Sequence, residues 1–174
     1  MKHSRFTALD LVQIALVAAL YVLLTALPVL SNFSYGAVQF RISEMLNFLA
    51  FYNPKYILSV TIGCMIANFI SPQSLGLIDV VVGGGSTFIF VSLGVYLFKR
   101  FDQVEVLGGL FRLDHLFFSV LFSISMITIA WELNFVLKDP FFLTWFTTAI
   151  GEFTSLLLGA FLVKRLDKVI DFTK

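Results

Sequence analysis

Cysteine occurs once in the 174 residues, at Cys64, which excludes an internal disulfide and any cysteine-based metal cluster. Histidine occurs twice; His3 and His115 stand far apart with no carboxylate at metal-ligand spacing, so no metal is expected. Charged residues make up only 13% of the chain, too few to cover the surface of a soluble domain of this length. The net charge of +1 says nothing about nucleic acid, but no basic run interleaved with aromatics is present, which argues against nucleic acid as a partner. Gly83-Gly84-Gly85-Ser86 is not followed by Gly-Lys-Ser or Gly-Lys-Thr and lies inside an apolar stretch. It reads as a site of close helix packing rather than a phosphate loop, so no ATPase is expected in this chain. There is no nucleophile–base pair, and no internal repeat of the kind common in secondary transporters. These absences point away from an enzyme and imply neither a metal nor a cofactor.

What is present in excess is apolar surface. Hydrophobic residues account for 59%, Phe alone occurs 21 times, and the mean hydropathy is +0.93. Lipid is the solvent such a chain requires. A helix crossing the hydrocarbon needs about 20 apolar residues at about 1.5 Å rise each. Four stretches meet this length, near 8–27, 78–98, 115–137 and 141–163. Residues 11–27 have the apolar character of a signal peptide, but no small-residue cleavage site follows, and they read as a retained first span. The stretch 41–70 is interrupted by Asn53-Pro54-Lys55. Proline removes a backbone donor and restricts the residue before it, so two short helices, near 42–52 and 56–70, are expected there.

Charge chooses the topology. With six spans and both termini in the cytoplasm, the inner side holds Lys2, Arg5, Lys55, Lys99, Arg100, Arg112, Lys164, Arg165, Lys168 and Lys174. Only Arg41 and Lys138 of the 12 basic residues fall outside. Five spans would expose one of the two terminal basic clusters. The expected fold is therefore all-α, a six-transmembrane-helix bundle forming one integral-membrane domain over 1–174, multi-pass in a cell (inner or plasma) membrane. The long inner loop, 99–114, carries an apolar Leu107–Phe111 core expected to touch the membrane surface.

Ionisable groups within a membrane are functional hypotheses by default. On this topology Glu44, Asp79 and Glu132 fall at the outer ends of the second, fourth and fifth spans, and Glu152 lies midway along the sixth. Gln39, Arg41, Asn68, Asn134, Trp131 and Trp145 sit at the same outer level. Together they are the candidate substrate-binding residues around one outward-facing cavity. Simpler readings stand beside several of them. Arg41 and Glu44 have the i, i+3 spacing of a mutual pair. Asp79 precedes an apolar helix and reads equally as an N-cap. The tryptophans suit an interfacial aromatic belt. Glu152 is the hardest to explain structurally, because nothing basic lies near it on its own helix. The first span carries Ala15 and Ala19 one turn apart, a small-residue pair that lets another helix approach closely, either inside the bundle or from a partner.

The set Gly36-Ala-Val-Gln39-Phe-Arg41-Ile-Ser-Glu44, Asn53-Pro54-Lys55, Gly63-Cys64-Met-Ile-Ala67-Asn68 and Leu77-Ile-Asp79-Val-Val-Val-Gly83 resembles the QueT family, and Ile150-Gly151-Glu152 fits that family's last span. The resemblance runs from about residue 15 to 163. It implies the substrate-binding (S) component of an energy-coupling-factor (ECF) importer of queuosine precursors, without catalytic activity of its own. The implied ligand is a 7-deazaguanine such as the 7-aminomethyl compound, or queuine. The implied partners are a transmembrane coupling protein, contacted through Ala15 and Ala19, and two cytoplasmic ATPases. Residues 36–44 become candidates for a lid and the upper part of the site. Glu132 and Glu152 are expected to recognise ring and amine, with Asp79 next, while Arg41 organises the loop. An S component for another vitamin or nucleobase, and a stand-alone ion-coupled carrier using Glu152, are the alternatives.

Overall fold

The computed structural model describes residues 6–27, 30, 34 and 38–173. Most of the connection between the first two expected spans, with Gly36 of the expected lid, lies outside the described residues, as do Lys2, Arg5 and Lys174.

Helix α1 (Ala8–Ala26) starts at a capping box. The Thr7 hydroxyl accepts from the Asp10 amide, and the Asp10 carboxylate accepts from the Thr7 amide. Its Ile14, Ala18, Tyr21 and Thr25 face the protein. Residues Ile42–Phe48 then form a 3₁₀ helix that runs into a single α-turn, α2 (Leu49–Tyr52). Seven residues is long for 3₁₀ geometry. This tighter backbone is wrapped in protein, with Ser43, Glu44, Leu46, Asn47 and Phe48 all buried. The chain breaks at Asn53, which is extended before Pro54. Helix α3 (Tyr56–Ile70) and helix α4 (Leu77–Phe98) follow. A hairpin of β1 (Glu105–Val106) and β2 (Phe111–Arg112) interrupts the helices, turning through Leu107, Gly108 and Gly109 at positive φ. The fifth apolar stretch is bent. Helix α5 (Leu113–Ser125) gives way at Met126 to α6 (Ile127–Leu137). Ser119, Ser123 and Ser125 donate to carbonyls three or four residues back, a pattern that bends helices. Helix α7 (Phe141–Leu166) closes the fold.

Four segments are long and apolar enough to cross a membrane: Ala8–Ala26, Leu77–Phe101, Leu113–Leu137 and Phe141–Leu166. Tyr56–Ile70 is apolar but shorter. The helices form a ring in which α1 packs on α3, α3 on α4, α4 on α5, and α5 on α7; the 3₁₀ segment bridges α7 back to α1. Glycines permit the closest approaches. A side chain at Gly63 would meet Tyr21 of α1, Gly83 lies against Asn68, and Gly84 against Met65. On α7, Gly151, Ser155 and Gly159 recur every fourth residue and make a groove for the segment before α2. Gly151 abuts the Gln39 backbone, the Ser155 hydroxyl donates to the Arg41 carbonyl, and Gly159 abuts Met45.

The two ends of the ring differ. One half is filled with rings: Phe48 lies 5.5 Å from Phe118 and 4.5 Å from His115, and Phe118 packs on Phe51 and Phe122 at 5.3 Å. All five are essentially without solvent contact. The other half contains a cavity.

Candidate functional site

The cavity has a volume of about 510 Å³, within the range of small-molecule sites. It opens at the end of the bundle formed by the α3–α4 connection, the C-terminus of α6 and the N-terminus of α7. Its polar wall brings Gln39 and Arg41 together with Asp79 and Glu132. These come from three separate parts of the chain, and folding alone assembles them. The α4 start positions Asp79, whose carboxylate lies 3.5 Å from the Leu75 amide and whose carbonyl accepts from the Asn68 amide group at 3.2 Å. The residue capping that helix is Gly76, not Asp79. Glu132 is 1% exposed, and neither carboxylate oxygen has a hydrogen-bond partner. An ionisable group buried without partners is costly unless something else meets it.

Arg41 is the only cationic side chain in this wall among the described residues. Its Nε donates to the Ser34 carbonyl at 3.1 Å, and its guanidinium lies 4.0 Å from Glu44. Carboxylates surround it: Asp79 and Glu132 share the cavity wall with it, and Glu44 lies behind that wall. The arrangement is thus anionic around one guanidinium.

The remaining candidates from the sequence are placed differently. Glu44 is buried beneath the cavity wall, where its Oε1 accepts from the Tyr21 hydroxyl at 2.5 Å and its Oε2 from Asn47 at 2.6 Å. Glu152 sits one helical turn below Thr148, a lining residue, and is 1% exposed with Oε1 unpartnered. Asn68 stands behind Asp79 rather than in the wall. Three candidates do not face the cavity. Trp131 is 53% exposed, stacks on Phe135 at 5.6 Å, and borders an apolar groove on the outside of the bundle. Asn134 closes the 138–140 turn by donating to the Asp139 carbonyl. Trp145 donates to the Ile124 carbonyl beside the α5–α6 break. Trp131 and Asn134 share the depth of Glu132 but point along other radii of α6.

The cavity also has residues that the sequence reading did not single out: Gln73, Asp139, Thr144, Thr147 and Thr148. A signal for the threonines was present. Thr144, Thr148, Glu152 and Ser155 recur at helical spacing and form one polar stripe on an otherwise apolar helix.

Apolar helices of membrane-spanning length surrounding a ligand-sized, largely apolar cavity with one polar wall are the arrangement of a multi-pass membrane protein of the transport class. The family model described as "QueT transporter" matches residues 11–168. The Queuosine precursor transporter QueT of Lactococcus lactis subsp. cremoris (strain MG1363) is 55% identical over 174 residues, covering 100% of both chains. No solved structure matches. The chain belongs to the QueT transporter family, and its place is the cell membrane.

Proposed function

We propose that this chain captures a queuosine precursor, a 7-deazaguanine, in the cavity walled by Arg41, Asp79 and Glu132, as the S component of an ATP-driven ECF importer. The observation that carries the reading is the excess of carboxylate over cation in that wall. A guanine-like edge presents adjacent N–H donors that one carboxylate accepts in a bidentate manner, and a cationic aminomethyl group calls for a second. Asp79 and Glu132 fill these roles, Gln39 and Arg41 meet the ring carbonyl, and Glu152 lies one turn deeper as a further hydrogen-bonding group. The name of the Lactococcus relative agrees with this ligand class.

The topology proposed is six spans with both termini cytoplasmic, so that the cavity opens outward. The partners proposed are a transmembrane coupling protein and two cytoplasmic ATPases. Support for a partner on α1 comes from Ala15 and Ala19, which are exposed while Ile14 and Ala18 beside them are buried. Small residues unused in the bundle leave a close approach open to another helix.

Calorimetry on the purified chain with 7-aminomethyl-7-deazaguanine, 7-cyano-7-deazaguanine and queuine tests the ligand. Saturable binding is expected, with the aminomethyl compound about tenfold tighter than the cyano compound, as one charge-assisted hydrogen bond allows. Monodisperse, helical protein that binds none of the three overturns the reading. Uptake by the chain alone, driven by a pH gradient without ATP, would establish an ion-coupled carrier instead.

A further inference from the structure

Tyr21 belongs to no ligand wall, yet it is the largest wholly buried side chain on α1 and ends in a charged group's hydrogen bond. Its hydroxyl donates to Glu44 Oε1 at 2.5 Å, and Glu44 is the carboxylate 4.0 Å from the Arg41 guanidinium. Gly63 lets α3 pack closely on this residue, because a side chain there would meet the Tyr21 Cβ and Cγ. One turn on, the Thr25 hydroxyl donates to the Tyr21 carbonyl at 2.8 Å and shares a hydrogen bond with Ser43 at 2.6 Å. Helix α1 is therefore tied at two points to the segment that carries Gln39 and Arg41 into the cavity. Glu44 has both oxygens occupied, by Tyr21 and Asn47, so its carboxylate is spent on holding neighbours rather than on meeting a ligand.

We infer that Tyr21 and Glu44 are positioning residues for the ligand cavity: α1, through the Tyr21–Glu44 hydrogen bond, sets the guanidinium of Arg41. This rests on the ligand site proposed above and adds the route by which α1 reaches it. The helix then carries exposed alanines on one side and, on the other, the group that orients the cavity's cation. A displacement of α1 alters the cavity without any contact between α1 and ligand.

A double-substitution cycle tests the chain of contacts, since residues acting through one another are non-additive. Binding of 7-aminomethyl-7-deazaguanine is measured for Tyr21→Phe, Arg41→Ala and the pair. Tyr21→Phe keeps the ring and removes only the hydroxyl; it should weaken binding about tenfold, the loss of one hydrogen bond to a charged group. In the Arg41→Ala background the same change should alter affinity less than twofold. Equal fold-losses in both backgrounds overturn the inference, as does an unchanged affinity in Tyr21→Phe alone. Thr25→Val, which cuts the second tie, provides a repeat of the cycle if Tyr21→Phe yields no folded protein. Absence of binding by the unsubstituted chain is a separate result, because it removes the ligand assignment rather than the coupling.

Discussion

The two ends of the bundle hold their charges in opposite ways. At the basic end cations meet carboxylates at short range: Lys55 with Asp10 at 2.8 Å, Arg112 with Asp114 at 2.5 Å, and Lys164 with Glu105 at 2.7 Å. At the cavity end the shortest ion pair among the described residues is Arg41 with Glu44 at 4.0 Å, and Glu132 has no hydrogen-bond partner. Paired charges fasten chain segments to one another. A buried carboxylate without a partner, as at Glu132, holds an interaction in reserve for a molecule that arrives later, at the expense of stability in its absence.

Substitutions at the two ends should therefore separate stability from binding. The largest effect is expected at Asp114, which has no solvent contact and is held by Arg112 through two hydrogen bonds. Asp114→Ala strands a mostly buried guanidinium and should lower unfolding stability by about 3–5 kcal/mol, read as thermal unfolding in detergent, with ligand affinity of the folded protein unchanged. Glu132→Gln should do the reverse. Ligand affinity falls about 10- to 100-fold, while stability stays within about 1 kcal/mol. A stability loss at Glu132 equal to that at Asp114 would dissolve the distinction between the ends. Lys55→Met removes the tie between the 53–55 turn and α1, and should cost about 1 kcal/mol, seen as faster amide exchange in the first turn of α1.

The smallest effect is a pH dependence at the hairpin. The hydrogen bond from Lys164, then its charge, holds the Glu105 carboxyl below its usual range. A depressed carboxylate stabilises the fold above its unfolded pKa, and that contribution disappears as pH falls through the lower folded value. Exchange protection of the Leu110 and Leu113 amides, which donate to the Leu107 and Val104 carbonyls at the hairpin, corrected for intrinsic rates, should be flat from neutral pH down to about pH 5 and decline in stronger acid. Glu105→Gln should abolish the acid step.

Much of this arrangement was legible in the residues, and the limits have physical causes. Apolar length marks the long helices, and Pro54 marks the break after Tyr52, because both are local properties of the chain. The depth of Glu132 was readable from helix rise. Its direction was not, since Trp131 and Asn134 share that depth and only packing decides which radius points inward. The pairing of Arg41 with Glu44 follows from i, i+3 spacing, but Tyr21 lies 23 residues from Glu44, and nothing local announces it. The 3₁₀ form of Ile42–Phe48 depends on a groove made by Gly151, Ser155 and Gly159, more than 100 residues further along. The hairpin strands are two residues each, too short for any alternation of apolar and polar residues to register.

The stacked rings of Phe48, Phe51, Phe118, Phe122 and His115 also govern what the chain does when idle. They make the cavity a cup with a floor rather than a pore. Water and ions entering it meet closely packed hydrocarbon and go no further. A cell can therefore keep many copies standing in its membrane without short-circuiting its own ion gradients, and passage of a ligand requires the whole cup to be moved or its floor to be opened.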